Sequence, residues 1–389
     1  MRKRSRMIDL IVSVATLALV PQVGAQLIGV TFPDYRSDVH GATSIHVSAP
    51  GYRSPLEVRS WLPGGEYGSD SKVASVLLEN KGAGTFEFPA DRYPHGPITV
   101  RISGVRISDV YVDTCYLQLY NTGGVSWNEG VPKTNPPGAA GMSLVFEDDF
   151  DGPLSISGTG YGARYGAHKP DGLDFSQIPF VDPTPDGPFF QRDTYLIIRA
   201  NALRNTTGLI SSVNSRDATG FTVKAPYYME CRFIAPDAIG TWPAWWTMTD
   251  EYKDGKWSDK SDELDIIEAY GGDGQKSPNA PTAYMVTPHM WGYQAANIVD
   301  KANPIDMHKI GGSGGWADTP HVYGLLVKPD TFVFYLDNVE VLRVPASPLA
   351  VQDPTYFMVN LATGGGWPVD LSRYGNIVDM YVDYIRVYH

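Results

Sequence analysis

Short runs in which apolar and polar residues alternate recur along this sequence, and amphipathic helical periodicity is scarce. Examples are Ser44-Ile45-His46-Val47, Ile98-Thr99-Val100-Arg101-Ile102, Tyr116-Leu117-Gln118-Leu119-Tyr120 and the closing run from Met380 to Tyr388. Side chains of an extended chain point alternately to opposite faces, so such runs predict half-buried strands. Forty glycines and 30 prolines supply turns between them, and 9 Trp, 23 Tyr and 14 Phe suit pleated, half-buried surfaces. The chain is therefore expected to be all-β and built from packed sheets.

The 389 residues exceed one small domain. Arg2, Lys3, Arg4 and Arg6 precede an apolar run from Leu10 to Val20, with Val23-Gly24-Ala25 before Gln26. This is the layout of a signal peptide over residues 1–25, and its apolar core is well short of the ~20 residues that span a bilayer. A secreted protein, extracellular or periplasmic after cleavage, is expected, with no membrane partner. Residues 27–127 have the size and turn rhythm of a small immunoglobulin-like β-sandwich. Pro132, Pro136 and Pro137 mark a linker over 128–142. Residues 143–389 then form one larger sandwich. Cys115 and Cys231 are too few for a disulfide framework and read as buried small apolar residues, with an inter-domain bridge as the alternative.

Glu263-Leu264-Asp265-Ile266-Ile267-Glu268 puts three carboxylates into a β-branched run. On a regular strand Glu263 and Asp265 share a face and Glu268 points away; one extra residue at a β-bulge returns Glu268 to their side. The two glutamates then stand roughly 13 Å apart at the backbone. Long side chains leaning together approach the ~5–5.5 Å carboxyl separation of retaining glycosidases. A helix would place Glu263 and Asp265 on nearly opposite sides. Around this run the sequence is rich in tryptophan, with Trp242, Trp245, Trp246, Trp257, Trp291, Trp316 and Trp367 all beyond residue 240. Flat aromatic faces stack on sugar rings. The net charge of −12 disfavours nucleic acid and anionic membranes and fits a neutral glycan better than an acidic one.

Gly240-Thr241-Trp242-Pro243-Ala244-Trp245-Trp246 followed by the carboxylate hexapeptide resembles the signature of glycoside hydrolase family 16, in its laminarinase and agarase-like branch with the bulged motif. Leu144–Phe150, Gly208–Ser212, Met229–Arg232, Asn360-Leu361-Ala362 with its glycine run, and Val382–Tyr388 match in the family's order, so the resemblance spans 143–389. It implies a concanavalin-like β-jelly-roll with an open cleft, cutting inside β-linked polysaccharides with retention. By position, Glu263 resembles the nucleophile, Glu268 the acid/base, and Asp265 the residue tuning charge between them. A neighbouring anion favours the proton that Glu268 needs.

The resemblance also implies sugar contacts for Trp242, Trp246 and Trp257, and places His289, Trp291 and Trp367 as cleft candidates. Glu230 and Arg232 share one strand face, which the family turns toward the cleft or else toward an outward salt bridge. Glu147 and Asp383 stand where some members hold a structural Ca²⁺; no cofactor is required for catalysis. The expected substrate is β-1,3 or mixed β-1,3/1,4-glucan. Galactan or agar, and a non-catalytic lectin-like sandwich, remain alternatives. The upstream sandwich reads as an immunoglobulin-like spacer or, through Trp61, a carbohydrate-binding module. A monomer is expected.

Overall fold

The alternating runs form strands because one face of each is apolar enough to be buried against a second sheet. The computed structural model describes residues 27–62, 71–124, 132–250, 252–253, 256–257, 261–272, 282–291, 301–310 and 314–389. The leader expected over 1–25 lies outside the described residues.

The larger sandwich is an all-β jelly roll of two layers, antiparallel except for the parallel pair Ile156–Ser157 and Tyr165–Gly166. One sheet orders its strands Ile156–Ser157, Tyr165–Gly166, Leu209–Ser211, Thr355–Thr363, Thr241–Thr249, Ser261–Glu268, Ala283–Trp291 and Asn303–Asp306. The other runs Phe189–Arg192, Tyr195–Asn201, Ile377–Tyr388, Tyr227–Ile234, His321–Val327, Thr331–Leu336 and Val339–Pro345, with Leu144–Asp148 paired to the end of Ile377–Tyr388. Between them lies one core. Trp245, Leu264, Ile266, Ile267, Phe357 and Val359 project from the first sheet, and Met229, Cys231, Phe233, Leu325, Val382 and Ile385 from the second.

That second sheet corrects two expectations. Met229, Cys231 and Phe233 take the core side of their strand, so Glu230 and Arg232 do share a face, but it is the outer one. Arg386 Nε donates to Glu230 at 2.9 Å, and Arg232 donates to Asp383. Alternation tells which residues share a face; it does not tell which sheet the strand joins. The calcium pair does not assemble either. The Asp383 carboxylate is neutralised by Arg232, and exposed Glu147 stands opposite Arg386, three residues along the last strand and about 10 Å away.

Residues 28–122 hold a separate sandwich. A three-stranded sheet (Gly29–Phe32, Ala42–Ser48, Ala83–Pro89) faces a five-stranded one (Asp38–Val39, Val112–Asn121, Gly96–Val105, Leu56–Arg59, Lys72–Val76) across Ile45, Val47, Val58, Phe88, Val100 and Leu117. Cys115 and Cys231 are free and buried, one in each core. Trp61 is only 8 % exposed and lies under the Arg101 guanidinium at 4.0 Å, so it offers no open face to a sugar. Residues 132–142 run along the outer sheet of the larger sandwich: Pro132 O accepts from Arg386 Nη1 at 2.8 Å, and Ala139 is buried beside Tyr228 and Tyr388.

Candidate active site

Glu263, Asp265 and Glu268 reach the same cleft because their strand is irregular at one residue. Against Thr241–Thr249 the register pairs Glu263 with Met248, Leu264 with Thr247 and Asp265 with Trp246, then resumes with Ile267 opposite Trp245 and Glu268 opposite Ala244. Ile266 is the extra residue. Leu264, Ile266 and Ile267 are all buried in the core, a burial contributing about 1.5–3 kcal/mol per side chain. The apolar side chains thus anchor the bulge, and the bulge turns all three acids outward. The same slip appears against Ala283–Trp291, between Asp265 opposite Thr287 and Glu268 opposite Met285.

The cleft encloses about 930 Å³. Its aromatic walls are Phe175, Trp242, Trp246 and Trp291, with Phe175 edge-on to both Trp242 (5.4 Å) and Trp246 (5.7 Å). Trp242 and Trp246 share a face of their strand, opposite core-facing Trp245. Gly365, at φ +59, lies against Trp242 where a Cβ would come within 2.9 Å of the ring, which gives the glycine run a local reason.

Each acid is held differently. Glu268 Oε1 accepts from Trp242 Nε1 at 3.0 Å and Tyr270 OH at 3.1 Å, and Oε2 from Thr287 Oγ1 at 3.2 Å; Tyr270 stacks on Trp242 at 5.6 Å. Glu263 accepts from Trp291 Nε1, and Trp291 stacks on His289 at 4.9 Å. His289 stands opposite Glu263 in the register and brings Nε2 to 3.3 Å from Asp265 Oδ2. Asp265 lies between the glutamates. Burial first, then the charges of Glu268 and Glu263, hold its carboxyl well above the usual range. Burial also raises Glu263, opposed by the Trp291 N–H and by the positive charges of His289 and Lys169.

Asp265, Glu268 and His289 each bring one potential ligand atom within 4.8 Å of the others. Both Glu268 oxygens already accept protein hydrogen bonds, so any cation there would share them with those donors.

Of the residues singled out from sequence, Trp242, Trp246, Glu263, Asp265, Glu268, His289 and Trp291 line this cleft. Trp367 does not; it is half-buried in the turn after the glycine run, its N–H on Gly364 O at 3.0 Å. The Trp257 side chain lies outside the described residues. Sequence reasoning missed Tyr270, Thr287, Asn360 and the Lys169–Phe175 segment. Asn360 accepts from Trp246 Nε1 at 2.8 Å and donates to Trp242 O at 3.2 Å, locking the two tryptophans from the neighbouring strand. Parity could have flagged Tyr270, two residues past Glu268. Thr287 and Asn360 depend on cross-strand register.

The sequence model of Glycosyl hydrolases family 16 matches residues 193–386. Endo-1,3-1,4-beta-glycanase EglC of Rhizobium meliloti (strain 1021) is 29 % identical over 232 residues, covering 56 % of this chain and 43 % of that protein. Endo-1,3-1,4-beta-glycanase ExsH of the same organism is 32 % identical over 164 residues, covering 41 % and 30 %. The chain therefore spans less than half the length of these relatives. Among solved structures, the laminarinase from Flavobacterium sp. UMI-01 aligns with a TM-score of 0.48 at 22 % identity, over 64 % of this chain and 100 % of that one. The family match runs through the strands that carry all three carboxylates and their core anchors, and residues 193–386 form a glycosyl hydrolase family 16 domain.

Proposed function

We propose that the protein is a secreted, endo-acting, retaining β-glycanase that hydrolyses β-1,3 or mixed β-1,3/1,4-glucan. The observation that carries this reading is the bulge at Ile266, which gathers Glu263, Asp265 and Glu268 on one face of an open, tryptophan-walled cleft. The names of the two Rhizobium relatives, both endo-1,3-1,4-beta-glycanases, support a glucan-like substrate, as does a cleft whose described lining holds more acids than bases.

In this reading the Glu263 carboxylate attacks the anomeric carbon while the glycosidic C–O bond breaks and the leaving oxygen takes a proton from Glu268. Water then gives its proton to Glu268 and attacks the same carbon, releasing Glu263 and restoring both groups. Asp265, its carboxyl held well above the usual range by burial and by the charges of Glu268 and Glu263, stands between the two glutamates and tunes their charge. Trp242 serves twice, orienting Glu268 through its N–H and presenting its ring to the sugar. An open cleft admits internal segments of a chain, which suits endo cleavage.

The test is a panel of laminarin, lichenan, galactan, agarose and carrageenan with NMR of the first-formed anomer. Laminarin or lichenan should be cut, with β products appearing first. Glu263→Gln should lower kcat by at least 10³-fold, about 4 kcal/mol of transition-state stabilisation. Initial α products, or an unaltered rate in Glu263→Gln, would remove the assignment; cleavage restricted to agarose would move the substrate to galactans.

A further inference from the structure

We propose that Lys169 is a positioning residue for Glu263: an ammonium fixed in the cleft wall that keeps the attacking carboxylate charged. This rests on the nucleophile assignment above.

The turn that carries Lys169 is tightly built. Gly172 N–H closes onto Lys169 O at 2.9 Å with Gly172 at φ +76, and Asp171 Oδ1 accepts from Leu173 N–H at 3.0 Å. Asp171 Oδ2 takes Lys169 Nζ at 2.6 Å, and the two side chains are only 14 % and 23 % exposed. A lysine normally spends its chain freedom in solvent; here the ammonium is tethered within the cleft lining.

Glu263 itself sits in a rung of four strands, Tyr356 opposite Met248, Met248 opposite Glu263, and Glu263 opposite His289. Met248 and Glu263 line the same cleft as Lys169 and Asp171, which puts the turn and the nucleophile in one wall-and-floor arrangement around the substrate space. The charged groups facing Glu263 are Asp265 and Glu268 from its own strand, His289 from the next, and Lys169 and Asp171 from the turn. Met248 and Tyr356 add none. Among the described residues lining the cleft, Lys169 is the one ammonium, set against four carboxylates, its own Asp171 partner among them. Burial favours a protonated Glu263, and the Trp291 N–H, then His289, then Lys169 oppose it.

The experiment is the pH profile of kcat/KM on a soluble glucan, at fixed ionic strength, for the parent, Lys169→Met and Lys169→Arg. With the ammonium gone, Glu263 stays protonated to higher pH, so the acid limb of Lys169→Met should move up by about half to one pH unit, and Lys169→Arg should restore it. Should Lys169→Met not fold, Lys169→Gln removes the same charge and keeps a polar side chain. An unmoved acid limb in an active, folded variant overturns the proposal. So does an equal loss at every pH in both the neutral and the arginine variants, which marks a purely structural turn. A parent that cuts no glycan, or a Glu263→Gln variant at parental rate, would instead remove the nucleophile assignment, independently of Lys169.

Discussion

Asp265 is 3 % exposed, flanked by two glutamates, and held well above the usual carboxylate range by burial and by their charges. An unfolded aspartate titrates near pH 4, about 3.9. Between that value and the raised native one, the native state binds more protons than the unfolded chain. Stability from this group therefore falls as pH rises through that window. The cost belongs to the site, since buried like charges serve proton handling and oppose folding. Asp265→Asn removes the titration at nearly constant volume. The variant should lose most of its activity yet melt above the parent at pH 7, by several degrees for a gain of about 1–3 kcal/mol. The gap should shrink toward pH 4. Melting curves at both pH values check this, and a variant that melts below the parent at pH 7 would contradict it.

At the scale of the element, the strand Ser261–Glu268 shows what a sequence can and cannot reveal. Its three acids are reconciled only by one extra residue, and that much was legible from spacing alone, because the side-chain period of a strand is two. Which residue bulges was not, since Leu264, Ile266 and Ile267 are all apolar and all buried. Cross-strand partners were equally hidden: Thr287 and Asn360 become site residues through register with strands 19 or more residues away. The same blindness put Glu230 and Arg232 in the cleft when their strand belongs to the opposite sheet. A pair of single deletions exploits the bulge. Removing Ile266 leaves Glu-Leu-Asp-Ile-Glu, a regular alternation that keeps every acid on the cleft face. Removing Leu264 forces a carboxylate toward the core, where an unpaired charge costs several kcal/mol. The Ile266 deletion should fold and retain measurable hydrolysis, with about 2–4 kcal/mol lost for the missing side chain. The Leu264 deletion should not accumulate as soluble protein. Circular dichroism with a laminarin assay separates them, and equal behaviour of the two would argue against the bulge as the organising device.

Across the whole molecule, the two sandwiches meet through buried charge, a feature with no local sequence signal. Arg373 Nη2 pairs with Asp113 Oδ1 at 2.7 Å, and its Nη1 donates to Thr114 O at 2.6 Å, across 260 and 259 residues of sequence. Asp113 also accepts from Ile28 N–H at 2.8 Å and from Tyr52 OH at 3.2 Å, so the ion pair ties the upstream core to the jelly roll. Arg101 to Asp318 at 3.0 Å and Gln118 Nε2 to Asp379 O at 2.9 Å reinforce the contact. From there hydrogen bonds lead toward Glu268. Tyr116 N–H reaches Tyr374 OH at 3.4 Å, Tyr374 OH donates to Asp237 O at 3.0 Å, and Asp237 Oδ1 accepts from Gly272 N–H at 2.6 Å, four residues past Glu268. The upstream sandwich thus braces the segment that follows the strand carrying Glu268, and the two units should melt together. Arg373→Ala leaves Asp113 charged and buried at 1 % exposure, a loss of about 3–5 kcal/mol for a broken buried pair. Calorimetry should record one transition for the parent and, for Arg373→Ala, a lower and broader one in which the upstream sandwich separates first. Because the brace acts on the end of the strand carrying Glu268 and leaves the tryptophan walls in place, kcat should fall more than KM rises at temperatures where the variant is folded. Two well-separated transitions in the parent itself would show that the sandwiches are thermodynamically independent and that the contact carries no such load.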